Sequence, residues 1–309
     1  MNTILFYTLV SQAGILLLSQ GMLLAGHYTH NPRLEFHGRT IASFHALVIC
    51  ATYGTIASAV LNVVGYAGLG QWTTARSFKW TMLLFTRFWF KIDDPNDYLS
   101  NTRPAVFVGN HQTELDVLFL GHMFPMYCSV TAKKSLKYTP FLGWFMALSK
   151  TVFIERTSRA QSFAAFDAAA NEMATTRQSV YIFPEGTRSY YDHPDLLPFK
   201  KGAFHMAVQA QVPIVPVVVA NYSNLLNVKK KIFRAGTVPV KVLKPVETKG
   251  KTKEDVPALL EEVRGKMLEA LKGLTEHARD QGVALKAEET ASAKSNGMAR
   301  STGADAGGR

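Results

Sequence analysis

The chain has only two cysteines in 309 residues, Cys50 and Cys128, too few for a disulfide framework or a metal knuckle. A reducing environment around the main domain is therefore the simpler assumption. No Gly-x-Ser-x-Gly elbow occurs, which counts against a serine lipase or esterase. Walker and Rossmann glycine patterns are absent, as are zinc-finger spacings and aromatic RNA-binding signatures. His27, His30, His37 and His45 are loosely spaced and no carboxylate-rich helix follows them, so they argue no metal site. There is no internal repeat. Acidic residues are scarce: 23 Asp and Glu stand against 34 Lys and Arg, a net charge of +11. That excess implies an anionic partner, either phosphate groups, an acidic bilayer surface or, least supported here, nucleic acid.

What is present begins with apolar sequence. Hydrophobic residues make up 47% of the chain and mean hydropathy is +0.02, fitting a globular domain with membrane helices added rather than a polytopic transporter. The length allows one large domain or two ordinary ones. Residues 4–26 are uncharged, long enough at about 1.5 Å per residue to cross about 30 Å of hydrocarbon. A cleaved signal peptide is the rival reading, although Met1-Asn2-Thr3 carries no basic side chain. A second uncharged run, 44–68, holds small residues (Ala51, Gly54, Ala57, Ala59) that favour close helix contact. Arg76, Lys79, Arg87 and Lys91 follow it, which favours a cytosolic C-terminal side. Residues 71–90 mix Trp72, Phe78, Trp80, Phe85, Phe88 and Trp89 with Arg76, Lys79 and Arg87. That pattern predicts a helix in the bilayer interface, or else an ordinary domain helix turning its aromatics to a core.

From 104 to 243 short β-rich runs alternate with helical patterns. Strands are expected at 105–108, 151–154, 180–183, 214–219 and 238–243, with a strand-like run at 128–132. Helices are expected at 115–123, 140–149, 159–176, 203–210 and 254–278. This alternation argues an α/β sheet covered by helices. Beyond 281 the chain is rich in Ala, Ser, Gly, Lys and Glu without an aromatic residue, and reads as a disordered tail.

Two segments carry chemistry. In Asn110-His111-Gln112-Thr113-Glu114-Leu115-Asp116 the imidazole and carboxylate are five positions apart. On one ideal helix that spacing would separate them by roughly 140°. With Val106-Phe107-Val108 as a strand and Gly109-Asn110 as a turn, His111 sits on the turn and Asp116 reaches back from the first helical turns. A carboxylate on one ring nitrogen fixes the tautomer and makes the other nitrogen a better base. The plainer reading is a turn histidine and a helix-start aspartate favoured by the helix dipole. In Phe183-Pro184-Glu185-Gly186-Thr187-Arg188-Ser189, Pro184 ends a buried strand and Gly186 permits unusual backbone angles. Thr187 and Ser189 offer hydroxyls, and Arg188 suits bidentate phosphate contact. Glu185 is odd beside an anion site, since it would repel phosphate. Lys133-Lys134, Arg156 and Lys200-Lys201 add charge, and a solvated surface explains each of them better than a site does. Lys229-Lys230-Lys231 with Arg234 reads as a membrane or CoA-phosphate contact, or a solvated loop. Residues 212–217 read as a buried strand lining a pocket.

Four of these segments, in this order, resemble the motifs of the 1-acyl-sn-glycerol-3-phosphate acyltransferases (lysophosphatidic acid acyltransferases, the PlsC-type family). Asn-His-x-x-x-x-Asp is matched by Asn110, His111 and Asp116. An apolar stretch ending in arginine is matched by Gly143 through Phe153-Ile154-Glu155-Arg156. Phe-Pro-Glu-Gly-Thr-Arg-Ser is matched without change at 183–189, and the proline-bearing apolar strand at 212–217. Residues 131–138 and 197–204 look like the fungal and other eukaryotic branch. The resemblance covers about residues 45–275, and the extra run 4–26 departs from it and leaves the topology open.

The resemblance implies an α/β fold, a central mixed sheet flanked by helices, with N-terminal transmembrane and interfacial helices. The implied organisation is two membrane segments in 1–70, an interfacial helix at 71–90, the acyltransferase domain at 91–280 and a tail at 281–309. It also implies direct transfer from acyl-CoA to the sn-2 hydroxyl of lysophosphatidate, with His111 as base and Asp116 orienting it. Arg188, Lys133 and Arg156, with Glu185, Gly186 and Thr187 in the loop, would bind the acceptor phosphate. Pro213 and Ile214 would line the acyl pocket or serve structure. No cofactor and no metal are implied; acyl-CoA is a substrate and the bilayer a partner. The expected location is the endoplasmic reticulum or lipid-droplet membrane, with the catalytic domain facing the cytosol. A different lysophospholipid or glycerol-3-phosphate as acceptor, or a non-catalytic phospholipid-binding membrane protein, are the alternatives. Removal of residues 1–40 is expected to leave activity largely present.

Overall fold

The expected strands between 105 and 243 lie side by side in a computed structural model, which describes residues 3–280 apart from Leu115 and Arg156. The tail reading at 281–309 and the Arg156 assignment thus fall outside the described residues. The strands are β1 (Phe88–Asp93), β2 (Val106–Gly109), β3 (Cys128–Lys133), β4 (Val152–Ile154), β5 (Ser179–Ile182), β6 (Ile214–Val219), β7 (Leu226–Asn227), β8 (Ile232–Phe233) and β9 (Gly236–Val242). Seven form one sheet in the order β1-β9-β6-β2-β5-β3-β4, while β7 and β8 make a separate hairpin. Neighbours in the large sheet run parallel except β6 and β9. The sheet is mixed, as the resemblance implied. The helices are α1 (Thr3–Tyr28), α2 (Pro32–Val63), α3 (Gly70–Thr86), α4 (Tyr98–Asn101), α5 (Asp116–Met123), α6 (Leu142–Leu148), α7 (Arg159–Thr176), α8 (Gly202–Ala210) and α9 (Val256–Asp280).

The central strands read as unbroken apolar runs because both their faces are covered. Phe107, Val215, Val217 and Val219 join Phe78, Met82 and Phe85 of α3 and Ala42, Ala46 and Cys50 of α2. Val106, Val108, Ile214 and Val218 join residues of α7, α8 and α9 on the other face. Each fully buried valine or isoleucine contributes about 1.5–3 kcal/mol by leaving water. Pro216 is an unexpected residue for a central strand. It is tolerated because the β9 ladder is interrupted there, between the Val217–Val242 pair and the Ile214–Val246 bridge.

The carboxyl ends of β2 to β6 share one edge of the sheet, the edge where open α/β sheets bind ligands. Loops leaving β2 and β5 there carry His111 and Glu185–Arg188.

The N-terminal third differs from the sequence expectation in two ways. The second apolar helix begins at Pro32, capped by the Asn31 side chain, rather than at 44. It lies along the domain: Arg39 donates to the carbonyls of Thr86 (3.1 Å) and Phe233 (2.8 Å), and Asn62 to that of Leu148 (2.9 Å). Both α1 and α2 are long and apolar enough to cross a membrane. The segment 71–90 is not one helix. Helix α3 stops at Arg87, whose φ is 54°, and Phe88, Trp89 and Phe90 pass into β1, paired with β9. The helix packs between α2 and α5 with Phe78, Met82 and Phe85 buried, and Arg76 donates to the Gly121, His122 and Phe124 carbonyls that end α5. Its inner face thus serves the domain core, while Trp80 (60% exposed), Leu84 (75% exposed) and Lys79 over the Trp80 ring remain on the outer face.

Candidate active site

Strand β2 delivers the chain into a turn at Gly109, where a side chain has no room: a Cβ there would come within 1.7 Å of the Tyr181 hydroxyl. Asn110 then clamps the turn to β6, donating to Val219 O (2.9 Å) and accepting from Val219 N–H (2.8 Å). Gln112 adds donations to the Val219 and Ala220 carbonyls. Asp116 opens α5, and its Oδ2 accepts the N–H groups of Gln112 (2.6 Å) and Thr113 (3.1 Å). The same oxygen lies 2.5 Å from His111 Nδ1. The turn has closed the five-residue gap. Asp116 has no solvent exposure and the His111 side chain is 18% exposed, so the acid is dry and the base reachable. With Nδ1–H held by the carboxylate, Nε2 is left as the basic nitrogen.

The loop after β5 braces that base. Phe183 stacks on the imidazole at 4.3 Å with 19° between the planes. Glu185 is turned inward: Oε1 accepts the His111 N–H (2.7 Å) and Oε2 the Leu197 N–H (2.9 Å). Burial pushes its carboxyl up to about 7, against the pull of those two N–H donors. The position of a residue that would repel phosphate is thereby explained. Ser189 N–H donates to His111 O at 2.9 Å, fastening the base from its other side. Gly186 takes φ +70°, and its bare face lies against Lys200, whose Nζ would be 2.8 Å from a Cβ.

Arg188 faces outward and donates to Glu114 (3.0 Å) and Tyr190 (3.2 Å), while Tyr190 donates to the same Glu114 oxygen (2.6 Å). Partial burial disfavours the guanidinium charge, but the Tyr190 hydrogen bond and the Glu114 carboxylate outweigh it and raise the pKa. Thr187 is exposed beside it. Lys133 ends β3, two strands from β2 in the sheet order, about 10 Å away at the usual strand spacing. Pro213 and Ile214 lie elsewhere. They begin β6 at the amino edge, where Pro213 O accepts from Val106 N–H and Ile214 is fully buried beneath α8 and α9. Their role is structural, and the pocket-lining half of the expectation has no support at that end of the strand.

Sequence reasoning passed over Glu114, Thr113 and Tyr222. Tyr222 donates to Asp116 Oδ1 at 2.5 Å and lies 2.7 Å from Thr113 Oγ1. Its only signal in the sequence is a tyrosine just beyond the carboxyl end of an apolar strand.

Known proteins resemble this chain in sequence and in fold. The family described as Acyltransferase matches residues 91–220. The 1-acyl-sn-glycerol-3-phosphate acyltransferase of Saccharomyces cerevisiae is 42% identical over 240 residues, 78% of this chain and 78% of its own length. An uncharacterised acyltransferase of Schizosaccharomyces pombe is 44% identical over 80% of this chain and 88% of its own. The human 1-acyl-sn-glycerol-3-phosphate acyltransferase beta is 39% identical over 72% of this chain and 75% of its own. In fold, the chain is similar to the crystal structure of the lysophosphatidate acyltransferase PlsC from Thermotoga maritima. The TM-score is 0.60 at 24% identity, covering 78% of this chain and 94% of that one.

Proposed function

The chain belongs to the 1-acyl-sn-glycerol-3-phosphate acyltransferase family, and we propose that it moves an acyl group from acyl-CoA to the sn-2 hydroxyl of lysophosphatidate, giving phosphatidic acid and CoA. The observation that carries the chemistry is the buried Asp116 carboxylate 2.5 Å from His111 Nδ1 at the carboxyl edge of the sheet. His111 Nε2 takes the hydroxyl proton as the oxygen attacks the thioester carbonyl. The imidazolium is stabilised by Asp116 and returns its proton as the C–S bond breaks and CoA leaves as the thiol. A thiolate is a good enough leaving group that no cofactor or metal enters the step.

Arg188 is the phosphate ligand in this reading, with Lys133, Arg156 and the Lys200 ammonium beside Gly186 adding positive potential. Glu114 holds the guanidinium in the free protein and gives way to the acceptor's phosphate. Glu185 serves the base rather than the anion.

The bilayer is the second partner. Tyr138, Phe141 and Trp144 are exposed beside Lys133, Lys134 and Lys137, following β3 at the site's edge. Thr55 donates to Phe141 O, so this patch adjoins the exposed apolar side chains Tyr53, Ile56 and Val60 of α2. Aromatics and lysines in this combination fit a lipid interface better than water. The free, buried Cys128 of the sheet suits a domain facing the cytosol, on the endoplasmic reticulum or a lipid droplet.

The test is thiol release from oleoyl-CoA by the purified protein with lysophosphatidate, lysophosphatidylcholine or glycerol-3-phosphate as acceptor. Release with lysophosphatidate, lost by roughly 10²–10⁴-fold in His111→Ala, is expected. Turnover confined to either of the other acceptors would overturn the substrate assignment.

A further inference from the structure

Asp116 receives four hydrogen bonds, and they divide unevenly between its oxygens. Oδ2 takes the His111 ring and the Gln112 and Thr113 amides, all from its own turn. Oδ1 takes the Tyr222 hydroxyl, which arrives from beyond β6, 106 positions along the chain. A carboxylate fixed at one oxygen alone can still pivot about its side-chain torsion, and a donor on the second oxygen removes that freedom.

Tyr222 is built to stay where it is. It is 1% exposed, its ring meets Phe88 and Phe90 edge-on, and its carbonyl accepts the Leu225 and Leu226 amides. A tyrosine hydroxyl has one proton and an ionised carboxylate has none. Tyr222 therefore donates to Asp116, and Thr113 Oγ1, 2.7 Å away, donates to Tyr222. The result is a directed chain, Thr113 to Tyr222 to Asp116, meeting His111 from the opposite side. Such chains strengthen each member in a dry surrounding.

From this geometry we infer that Tyr222 is a positioning residue for acyl transfer, holding the Asp116 carboxylate in the rotamer that orients the His111 base. The inference rests on the reading of His111 and Asp116 as base and orienting acid. Tyr222 touches no reacting atom and acts only through Asp116.

The consequence is kinetic and acid–base in character. Other groups facing the pair are Glu114 of the same turn, Tyr181 on β5, and Glu185 and Arg188 after it. None of them changes in Tyr222→Phe. Without the phenol proton, Asp116 keeps more of its negative charge for the ring it faces and is held at Oδ2 alone. Tyr222→Phe should lower kcat about tenfold, the scale of one hydrogen bond to a charged group. KM for both substrates should stay near wild type, and the acidic limb of kcat/KM should move to higher pH. Thr113→Val, which removes the far donor, should shift the limb the same way by less.

Thiol release across pH 5.5–9 in wild type, His111→Ala, Tyr222→Phe and Thr113→Val decides it, with melting temperature checked for each. A merely structural tyrosine predicts lower melting temperature and less active protein with an unmoved limb, and that result overturns the inference. So does a Tyr222→Phe enzyme with wild-type kcat. Should Tyr222→Phe fail to fold, the limb in Thr113→Val is the readout, and an unmoved limb there is equally fatal. Near-wild-type rates in His111→Ala would instead remove the base assignment beneath it, a distinct outcome.

Discussion

Glu185 accepts the backbone N–H of His111 at 2.7 Å, so the acidic residue of the arginine loop is a brace for the base. One consequence is measurable as stability. Burial raises its carboxyl from 4.5 to about 7, against the two amide donors. Between those values the folded chain keeps a proton that the unfolded chain gives up. This contribution is therefore full below about pH 4.5 and is lost as pH rises through 7. The melting temperature of wild type, relative to Glu185→Gln, should fall as pH is raised from 5 to 8. A difference that stays constant or grows with pH would show that Glu185 does not titrate in this window.

A candidate lipid contact outside 71–90 centres on Trp144, which is 55% exposed. Trp144→Glu puts a charge where an aromatic ring would enter the headgroup region, with no core contact to lose. Binding to vesicles containing phosphatidic acid should weaken, while turnover of micellar, detergent-dispersed substrate holds. Unchanged vesicle co-sedimentation would return the assignment to the remaining surfaces.

Arg39 revises the expected effect of deletion. It sits inside α2, 8% exposed, bonded to Glu35 (2.7 Å) and to the carbonyls of Thr86 and Phe233. A chain lacking residues 1–40 loses that junction, and the activity expected to survive from the sequence should instead be lost with the fold. Arg39→Met isolates the point: the stem still packs but two carbonyls lose their donor, costing about 1.5–3 kcal/mol for each charged hydrogen bond. A melting temperature equal to wild type in the same detergent would refute it.

What was legible in the sequence was local. His111 and Asp116 could be paired because a strand, a turn and a helix start lie within eleven residues, 106–116. The buried strands showed as apolar runs because both faces of the sheet are covered. Contacts made across long separations left no trace. Glu114 meets Arg188 across 74 positions, and Tyr222 meets Asp116 across 106. Strand β1 was hidden because Phe88-Trp89-Phe90 continue the aromatic and basic pattern of α3. The stop is Arg87 in a left-handed conformation, with no glycine to announce it. The β7–β8 hairpin has strands of two residues, too short for any periodicity to register.

Arg188 makes the sharpest claim about substrate. In the free protein its guanidinium is held by Glu114 and Tyr190, both on the exposed side of the site. An acceptor phosphate offers two oxygens to the planar fork, where Glu114 offers one contact at 3.0 Å. Arg188→Lys keeps the charge and loses the fork, so KM for lysophosphatidate should rise while KM for acyl-CoA moves little. Arg188→Ala should go further, by about 1.5–3 kcal/mol, roughly ten- to hundredfold in KM. Glu114→Gln separates ligand from strut. If Arg188 serves the acceptor, weakening its ion pair leaves kcat intact and does not reproduce the Arg188→Lys defect. If the arginine serves only to tie the two loops together, Glu114→Gln and Arg188→Lys should lower stability alike and raise both KM values equally. Titrating each substrate against the three variants distinguishes these, and a rise confined to acyl-CoA would assign the loop to the CoA side of the site.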